Sequence, residues 1–341
     1  MKNKKLSIVF GFSLFFAVLV GGIFTAPYVY IKFNDILTTR VVAHLQTASR
    51  AKADEVEMFI QWNKERAQDF SSDGLIKESL YKIKNGTDTV AVAKALTSHL
   101  IINKMPVWES LREILILDTK GVVISSTNEK TSVGLDLAGD PLFLNGKSAP
   151  YMSDLSHNED FNEDLFSLST PVIWDGEFVG VLAVKIPTNA FYNILTERTG
   201  MGETGESYVI NKEGFLLSPS LFLQGENSGI LTQIVRSDNA AKCLTDVKNF
   251  NSDNTFNHYN GDEPDVYLDY RGVRVVGAHH IIPKMNWCLL TEIDKSEIWN
   301  KERKNFMINY FLVLSLAALL VSMTGFAVCY YLSKKYRIWE N

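Results

Sequence analysis

The sequence predicts an α+β protein in which a long N-terminal stalk helix and two antiparallel-sheet modules are flanked by two transmembrane helices. Two apolar runs without charged residues or histidine, residues 6–31 and 306–332, bracket the rest of the chain. Each run is longer than the about 20 residues that a helix needs to cross a bilayer. Between them, an amphipathic stretch is followed by strand-turn-strand patterns that occur in two successive regions.

Basic residues near both ends of the chain favour cytoplasmic termini for these two predicted spans. They are Lys2, Lys4, Lys5, Lys334, Lys335 and Arg337. The first run is too long for the apolar part of a signal peptide, so we interpret it as an uncleaved anchor. We therefore expect a protein of the plasma or inner membrane, with residues 32–304 extracytoplasmic and short cytoplasmic ends at residues 1–5 and 333–341.

Residues 34–70 contain neither glycine nor proline, and their apolar side chains recur at three- and four-residue steps. This pattern predicts one stalk helix that leaves the membrane directly. A distal module, residues 71–187, follows with helices at 75–84 and 90–102. Its two predicted hairpins pair residues 113–117 with 122–126 and residues 165–173 with 177–186, and the variable segment 134–164 lies between them.

A second module, proximal to the membrane, is predicted at residues 188–294. It begins with a helix at 188–198 and continues with strands at 207–211, 215–218, 266–270, 273–281 and 287–293. An exit helix, residues 295–305, then leads into the second apolar run without a helix-breaking residue.

Charge and cysteine content narrow the function classes. The chain has a formal net charge of −5 and basic ends, so its middle is acidic and is a poor nucleic-acid binder. Of three cysteines, Cys329 falls in the second apolar run, which leaves Cys243 and Cys288 as the only pair outside. We expect these two to be unpaired, largely buried thiols.

The local motifs do not support catalysis, a cofactor or a metal. Residues 200–205 match G-x-G-x-x-G, but a helix precedes them and a strand follows, the reverse of the dinucleotide arrangement, so we expect a tight linker with positive φ angles. Ser-x-x-Lys at Ser79 and Ser-Asp-Asn at Ser237 lack the third part of the penicillin-binding set. His279 and His280 point to opposite faces of a strand, and residues 157–164 read as a solvated acidic loop.

Small residues form a face on each predicted span. Ser13, Ala17 and Gly21 recur every four residues in the first, and Ala318 and Ser322 form a shorter face in the second. Such faces let another helix approach closely, so we expect a homodimer packed through the membrane. Lipid-facing positions or packing within one chain are the alternatives.

The extracytoplasmic sequence resembles the double Cache family of sensor domains. Residues 200–220 (GMGETGESYVINKEGFLLSPS) look like the family's junction into its membrane-proximal half. Residues 267–272 (YLDYRG), 276–278 (VGA), Trp287 and 292–294 (EID) are similar to its closing strands and exit helix. The resemblance covers residues 32–299 and implies a stalk helix with two PAS-like modules, of which the distal one usually holds a small ligand.

The resemblance also implies where that ligand contacts the distal module. The family places contacts after the short helix near residues 141–144, which points to Tyr151, Ser153 and Asp154, and less strongly to Phe166 and Ser169 on the next strand. The amino-acid-binding subset carries Arg-x-Trp-Tyr before this region. Residues 140–151 contain neither Arg nor Trp, so an amino-acid ligand is not supported.

These observations predict a receptor that binds an unidentified small organic ligand and passes a signal across the membrane. Family members usually end in a kinase, a cyclase or a chemotaxis signalling region. Here residues 333–341 are too few to fold, so we expect a separate cytoplasmic or membrane signalling partner. The alternatives are the truncated sensor half of a histidine kinase or diguanylate cyclase, and an anchored binding protein that does not signal.

Overall fold

A computed structural model describes residues 2–86, 89–223, 229–250 and 266–339 of the chain. Met1 and the last two residues, at the tips of the predicted cytoplasmic ends, lie outside the described residues. Helix α1 (Lys2–Ser71) joins the first apolar run to the stalk without interruption, and helix α7 (Lys295–Trp339) joins the exit helix to the second run. The predicted continuity of both helices is therefore confirmed.

The apolar halves of α1 and α7 pack against each other. Phe33 and Phe306 stack with ring centroids 4.1 Å apart, and the Tyr310 hydroxyl donates a hydrogen bond to the Gly22 carbonyl at 2.7 Å. Gly11 and Gly22 are the glycines of α1 that contact α7.

The two predicted small-residue faces have different positions in this helix pair. Ser13, Ala17 and Gly21 are exposed on the pair, whereas Ala318 is fully buried and Ser322 lies against Gly11. Packing within one chain thus accounts for the face on α7. The face on α1 is exposed on the helix pair and stays a predicted contact for another helix.

The first module consists of helices on a six-stranded antiparallel sheet. Helix α2 (Gly74–Lys84) and helix α3 (Thr89–His99) precede a π-helical turn at Leu100–Lys104 and a 3₁₀ turn at Met105–Val107. The strands are β1 (Glu113–Leu117), β2 (Val123–Ser126), β3 (Tyr151–Met152), β4 (Ser156–Asn158), β5 (Glu163–Trp174) and β6 (Glu177–Pro187), with helix α4 (Pro141–Gly146) between β2 and β3. The sheet order is β2-β1-β6-β5-β3, and β4 also pairs with β5.

The second module has a four-stranded antiparallel sheet in the described residues. Helix α5 (Asn189–Thr196) connects the modules, and strand β7 (Glu206–Ile210) follows it. Helix α6 (Asp238–Asn249) precedes strands β8 (Val266–Leu268), β9 (Arg274–Ile282) and β10 (Trp287–Asp294). The sheet order is β7-β10-β9-β8.

One core joins both sheets to the stalk. Val56 and Ile60 of α1 pack with the inner face of the first sheet and with Trp287 and Leu289 of the second. Each sheet then has an outer face that points away from α1, and a different helix covers it. Helix α4 packs on the outer face of the first sheet, and α6 packs on that of the second.

The structure corrects the predicted strand at 215–218. This segment forms only isolated bridges, between Leu216 and Ile210 and between Phe215 and Ile234. The reason is that the Ser218 side chain accepts the amide hydrogen of Val209, in place of a backbone carbonyl. The ladder with β7 therefore ends after one residue.

Residues 159–162 form an exposed or half-exposed turn, in line with the predicted acidic loop, but residues 157–158 and 163–164 on either side are strand residues. They belong to a hairpin in which β4 pairs with β5, and His157 Nδ1 lies 2.9 Å from Asp164 Oδ1 across the two strands. Helix α6 was also not predicted. Ser237 begins it as an N-cap by accepting the amide hydrogen of Ala240.

The prediction of two unpaired thiols is wrong. Cys243 and Cys288 form a disulfide bond, with their Cα atoms 6.0 Å apart. Cys243 is on the buried face of α6 and Cys288 is on the outer face of β10, so the packing of α6 on the sheet brings them together. Because α6 was not predicted, neither was the pairing.

Candidate functional site

The candidate ligand site is the outer face of the first sheet. Side chains alternate along a strand, so Leu115, Val181 and Ala183 point away from the stalk, while Ile114, Leu182 and Val184 point into the main core. Phe143 of α4 packs on the outer set. The face is therefore apolar along the middle of the sheet and is covered by a helix of only six residues.

A buried ion pair lies at one end of this face. Glu113 is fully buried, and the Nζ atom of Lys185, its register partner on β6, is 2.7 Å from Glu113 Oε2. The other carboxylate oxygen accepts hydrogen bonds from Ser126 Oγ at 2.7 Å and Thr131 Oγ1 at 2.5 Å. A buried carboxylate needs such partners because desolvation strongly disfavours its charge.

At the C-terminal end of α4, the contact with the sheet is made without a side chain. A Cβ atom on Gly146 would overlap the hydroxyl of Ser169, so only glycine lets the end of α4 lie directly on β5. Ser169 is 1% exposed, and its Oγ has no hydrogen-bond partner in the described part of the chain. An unsatisfied buried hydroxyl costs about 1–3 kcal/mol.

Tyr151 lies beside Ser169 as its register partner on β3. Burial raises the pKa of the Tyr151 phenol, and the nearby carboxylates of Asp154 and Asp140 raise it further. Asp140 is the N-cap of α4 and accepts the amide hydrogen of Leu142 at 2.8 Å. The phenol is therefore a neutral hydrogen-bonding group at the edge of the α4 cover.

The other predicted contact residues point elsewhere. Phe166 is on the inner face of β5, in the core, where its ring centroid is 5.2 Å from that of Phe191 and 5.8 Å from that of Trp287. The Ser153 hydroxyl is engaged locally, with the Asp154 carbonyl and the Ser167 amide. The structure thus brings together two of the five predicted residues, Tyr151 and Ser169.

Asp154 connects the two modules. Its carboxylate accepts a hydrogen bond from Nε1 of Trp287 on β10, the first strand residue after the turn. Burial raises the pKa of Asp154, and the bond from Trp287 opposes that rise. The carboxylate of Asp154 is therefore bonded to the second module, and the sequence resemblance did not indicate this contact.

Sequence reasoning missed the ion pair of the candidate site. Glu113 and Lys185 are the charged members of otherwise apolar strand segments, EILIL and VLAVKIP. A charge inside a fully buried strand is a signal that could have marked them. The position of this ion pair relative to Tyr151 and Ser169 depends on the order of β1, β6, β5 and β3 in the sheet, and only the tertiary structure gives that order.

The outer face of the second sheet carries a different cluster of polar groups. Glu292 is 1% exposed, and it accepts hydrogen bonds from the hydroxyls of Tyr208 at 3.0 Å and Tyr267 at 2.9 Å. Burial raises the pKa of Glu292 to about 8. Gly277 makes this possible because any Cβ there would overlap the Tyr267 hydroxyl.

A second carboxylate lies opposite Glu292 on β7. Glu206 is its register partner, and it accepts hydrogen bonds from Tyr270 Oη at 2.7 Å, Ser220 Oγ at 2.8 Å and the Leu221 amide at 2.9 Å. Burial raises the pKa of Glu206, and these hydrogen bonds oppose the rise. A cleft of about 460 Å³ opens beside Glu206 and Ser220.

The predicted glycine linker has the backbone conformation that the sequence suggested, with φ of 80° at Gly200 and 77° at Gly202. The amides of Glu203 and Thr204 both donate at 2.7 Å to the carboxylate of Glu297, in the first turn of α7. Burial favours the neutral form of Glu297, but these bonds and the Thr204 hydroxyl lower its pKa. The loop is thus an anion-binding nest that holds the protein's own carboxylate.

The stalk is attached to the same region. Lys52 of α1, which is 8% exposed, donates to the carbonyls of Ile194 and Glu197 at 2.6 Å, at the C-terminal end of α5. Lysine at a helix C-terminus satisfies carbonyls that have no partner inside the helix. The stalk, α5 and α7 therefore meet around the linker between the modules.

Solved structures with low sequence identity cover most of the chain. The ligand-binding domain of the Pseudomonas fluorescens chemoreceptor CtaA in complex with L-alanine is 14% identical, with a TM-score of 0.45, and the match covers 75% of this chain and 97% of that one. The sensor domain of the V. cholerae histidine kinase DctB is 12% identical, with a TM-score of 0.48 and coverage of 74% and 98%.

A third such structure is the ligand-binding domain of the Pseudomonas aeruginosa PAO1 amino acid chemoreceptor PctB in complex with L-Arg. It is 10% identical, with a TM-score of 0.49, and the match covers 76% of this chain and 97% of that one. A search among curated proteins found no match. The Cache domain model dCache_1, in contrast, matches residues 33–301. This match spans most of the chain and confirms the resemblance seen in the sequence: the protein belongs to the double Cache family of sensor domains.

Proposed function

We propose that this protein is a membrane-anchored sensor that binds a small organic ligand between α4 and the outer face of the first sheet. The observation that carries the proposal is the unpartnered, buried hydroxyl of Ser169, next to Tyr151. Its register partner on β6, Ala183, is two residues from Lys185 of the ion pair with Glu113. Small-molecule sites are mostly apolar and contain a few convergent polar groups, as this face does. No covalent chemistry is needed for this role, and we propose no enzymatic activity.

The membrane anchor is supported by two long apolar helices. The helical stretches Ile8–Ser71 and Lys295–Leu332 each contain an 18-residue window with a mean hydropathy of 2.3. The Cys243–Cys288 disulfide supports an oxidising location for the segment between them, since structural disulfides persist outside the cytoplasm. We propose cytoplasmic termini and an extracytoplasmic first and second module.

Transmission is proposed to run through the contacts that join the modules to α1 and α7. The bond from Trp287 to Asp154 links the first module to the second, Lys52 links the stalk to α5, and Glu297 links α7 to the glycine loop. A ligand shifts such a system only by binding one arrangement more tightly than another. The partners that we propose are a second copy of the chain, packed on the Ser13, Ala17 and Gly21 face, and a separate signalling protein.

The ligand class follows from the site rather than from the relatives. The site has two hydroxyls on an apolar sheet and an ammonium–carboxylate pair at one end, which suits a small polar organic molecule. The amino acids in the CtaA and PctB structures are bound by those proteins. Residues 140–151 of this chain lack the Arg and Trp of the amino-acid-binding pattern, so we do not propose an amino acid.

A thermal-shift screen of the full chain in nanodiscs, with small carboxylates, amines and purines, would test the proposal. We expect a compound that raises the melting temperature of the native chain. The variant Ser169→Ala, which removes only the hydroxyl, should abolish the shift. The control Ser156→Ala, at an exposed position on β4, should retain it. A shift that survives Ser169→Ala unchanged would contradict this site.

A further inference from the structure

A large groove lies on the other side of the first module, along the stalk. It has a volume of about 720 Å³, within the range of small-molecule sites. Its walls come from α1, the segment before β1, the end of β6 and α5. We call it the stalk groove. It shares no lining residue with the candidate site beneath α4.

The floor and one rim of the stalk groove are aromatic and aliphatic. Phe59, Trp108 and Ile186 are buried beneath it. Trp62 and Met58, successive residues on the same face of α1, line it and are 65% and 50% exposed. A tryptophan left so exposed beside a concave apolar surface is costly in water and is typical of a binding site.

A positioned cation lies at one end of the groove. The guanidinium of Arg66 is 4.5 Å from the centroid of the Trp108 ring and donates to the Val107 carbonyl at 3.2 Å. No acidic side chain in the described part of the chain forms an ion pair with it. Arg112, in contrast, is bound through Nε to Glu163 at 2.9 Å. Arg66 is therefore oriented by its neighbours and retains donors for an anion.

The remaining polar groups limit the charge that a ligand of the stalk groove can carry. The amides of Asn63, Asn189 and Asn193 line the groove and can bond to neutral polar atoms. Glu55 also lines it, three helical turns before Arg66 and thus about 16 Å away along α1. A second negative group at that end would be repelled by Glu55. Aromatic stacking and a single anionic group match this arrangement.

We propose that the stalk groove is a second ligand site, which takes a small planar organic monoanion such as an aryl carboxylate. The ring lies against Trp62 and over the apolar floor, and the carboxylate pairs with Arg66. Because the walls belong to both α1 and α5, the bound anion holds the stalk against the helix that connects the modules. Lys52 already fastens the end of α5 to the stalk.

The test is isothermal titration of the full chain in nanodiscs with two probes of the same shape, indole-3-carboxylate and the neutral indole-3-carboxamide. The carboxylate should bind at least about tenfold more tightly, since hydrogen bonds to charged groups are the stronger kind. Arg66→Gln should remove that preference, and Trp62→Ala should weaken both probes about tenfold or more. Both positions are exposed, so neither change should disturb folding.

Two control variants separate binding in the stalk groove from binding elsewhere on the chain. Arg50→Gln removes an exposed arginine of the same helix outside the groove and should leave both affinities unchanged. Ser169→Ala should also leave them unchanged, so failure of the site beneath α4 and failure of the stalk groove are distinguishable. Binding that is absent, or that is indifferent to Arg66→Gln and Trp62→Ala, overturns the proposal.

A second copy of the chain is the competing occupant of the groove. Met58→Cys in a Cys329→Ser background tests for this occupant and keeps both Trp62 and Arg66, since Met58 is an exposed residue of the groove. A groove covered by a second copy would give a rapid disulfide between the two introduced cysteines. Such a cross-link without probe, which indole-3-carboxylate does not slow, overturns the ligand proposal. A chain that stays uncross-linked while it binds the carboxylate supports it.

Discussion

The outer faces of the two sheets have the same architecture, but their buried polar groups differ in their hydrogen-bond partners. Both sheets are antiparallel, both turn their inner faces to the stalk, and both are covered by one helix. Beneath α4, the first sheet has an ion pair at one end and the unpartnered hydroxyl of Ser169 in the middle. Beneath α6, the buried carboxyl of Glu292 is bonded by two tyrosines, and a disulfide joins the helix to the strand.

The difference shows which cover can move at low cost. Helix α4 has six residues and contacts β5 through a glycine, so lifting it breaks few interactions. Helix α6 has twelve residues and a covalent link to β10. This is why we place the ligand in the first module and a relaying role in the second. The two modules should therefore respond differently to substitution.

The largest effect is expected from removing the cation of the first module. Lys185→Met leaves the buried carboxyl of Glu113 without its ion-pair partner, which should lower the free energy of unfolding by about 3–5 kcal/mol. Urea unfolding followed by tryptophan fluorescence would measure it. The double variant Glu113→Gln/Lys185→Met should recover most of the loss. A single variant as stable as the native chain would mean that the pair is not desolvated.

The next effect concerns the covalent link of the second module. The Cys243→Ala/Cys288→Ala variant opens a loop of 45 residues. Its unfolding free energy should fall by roughly 2–4 kcal/mol, because the unfolded chain gains entropy. Limited proteolysis should then cleave near α6, while Cys329→Ala serves as the control with no such change. Equal protease resistance in both variants would refute the assignment of a rigid second module.

The buried carboxyl of Glu292 predicts a pH dependence of stability. Its pKa is raised from 4.5 to about 8 in the folded protein, so between these values only the folded state holds the proton. Stability should therefore fall by several kcal/mol as pH rises through this window, and level off above it.

Glu292→Gln mimics the protonated form and should flatten most of that slope, leaving the smaller part due to Glu206. Thermal unfolding between pH 5 and pH 9 would show this, with Glu213→Gln, at an exposed turn, as the matched control. The same slope in Glu292→Gln as in the native chain would mean that another group titrates. Such a result would weaken the view that the second outer face is a closed, self-satisfied cluster.

The smallest effect is expected at the glycine loop. Glu297→Gln keeps the side-chain size but removes the charge that accepts from Glu203 and Thr204. We expect a loss of about 1–2 kcal/mol and faster hydrogen exchange at these two amides. Glu109→Gln, at an exposed position, is the control. Unchanged exchange would show that α7 is not held through this carboxylate.

The sequence was sufficient for most of the secondary structure because those signals are local. The glycine-free amphipathic pattern predicted α1, and alternating apolar residues with turn signals at Asp175 and Gly176 predicted the long hairpin of β5 and β6. It failed where a side chain replaces a backbone partner, as Ser218 does. It also failed where a polar helix is stabilised mainly by one buried face, as α6 is.

The sequence predicted only part of the candidate site. Tyr151 and Ser169 were reached through a family resemblance, and the structure pairs them across β3 and β5. Phe166 was also assigned to the site. Successive side chains of a strand point to opposite faces, so Phe166 points away from the face of Ser169 and lies in the core. Asp154 was assigned as a ligand contact, and its partner in the structure is Trp287, 133 residues away.

By itself, the sequence determined the order of helices and strands, the two apolar runs that frame them and the family to which the middle belongs. These depend on periodicity, turn residues and composition, which neighbouring residues carry. Only the tertiary structure decided which faces are opposed: the ion pair of Glu113 with Lys185, the disulfide, the carboxylate held by the glycine loop, and the stalk groove. Each joins residues far apart in the chain, and their meeting depends on strand register and helix packing, which no local pattern specifies.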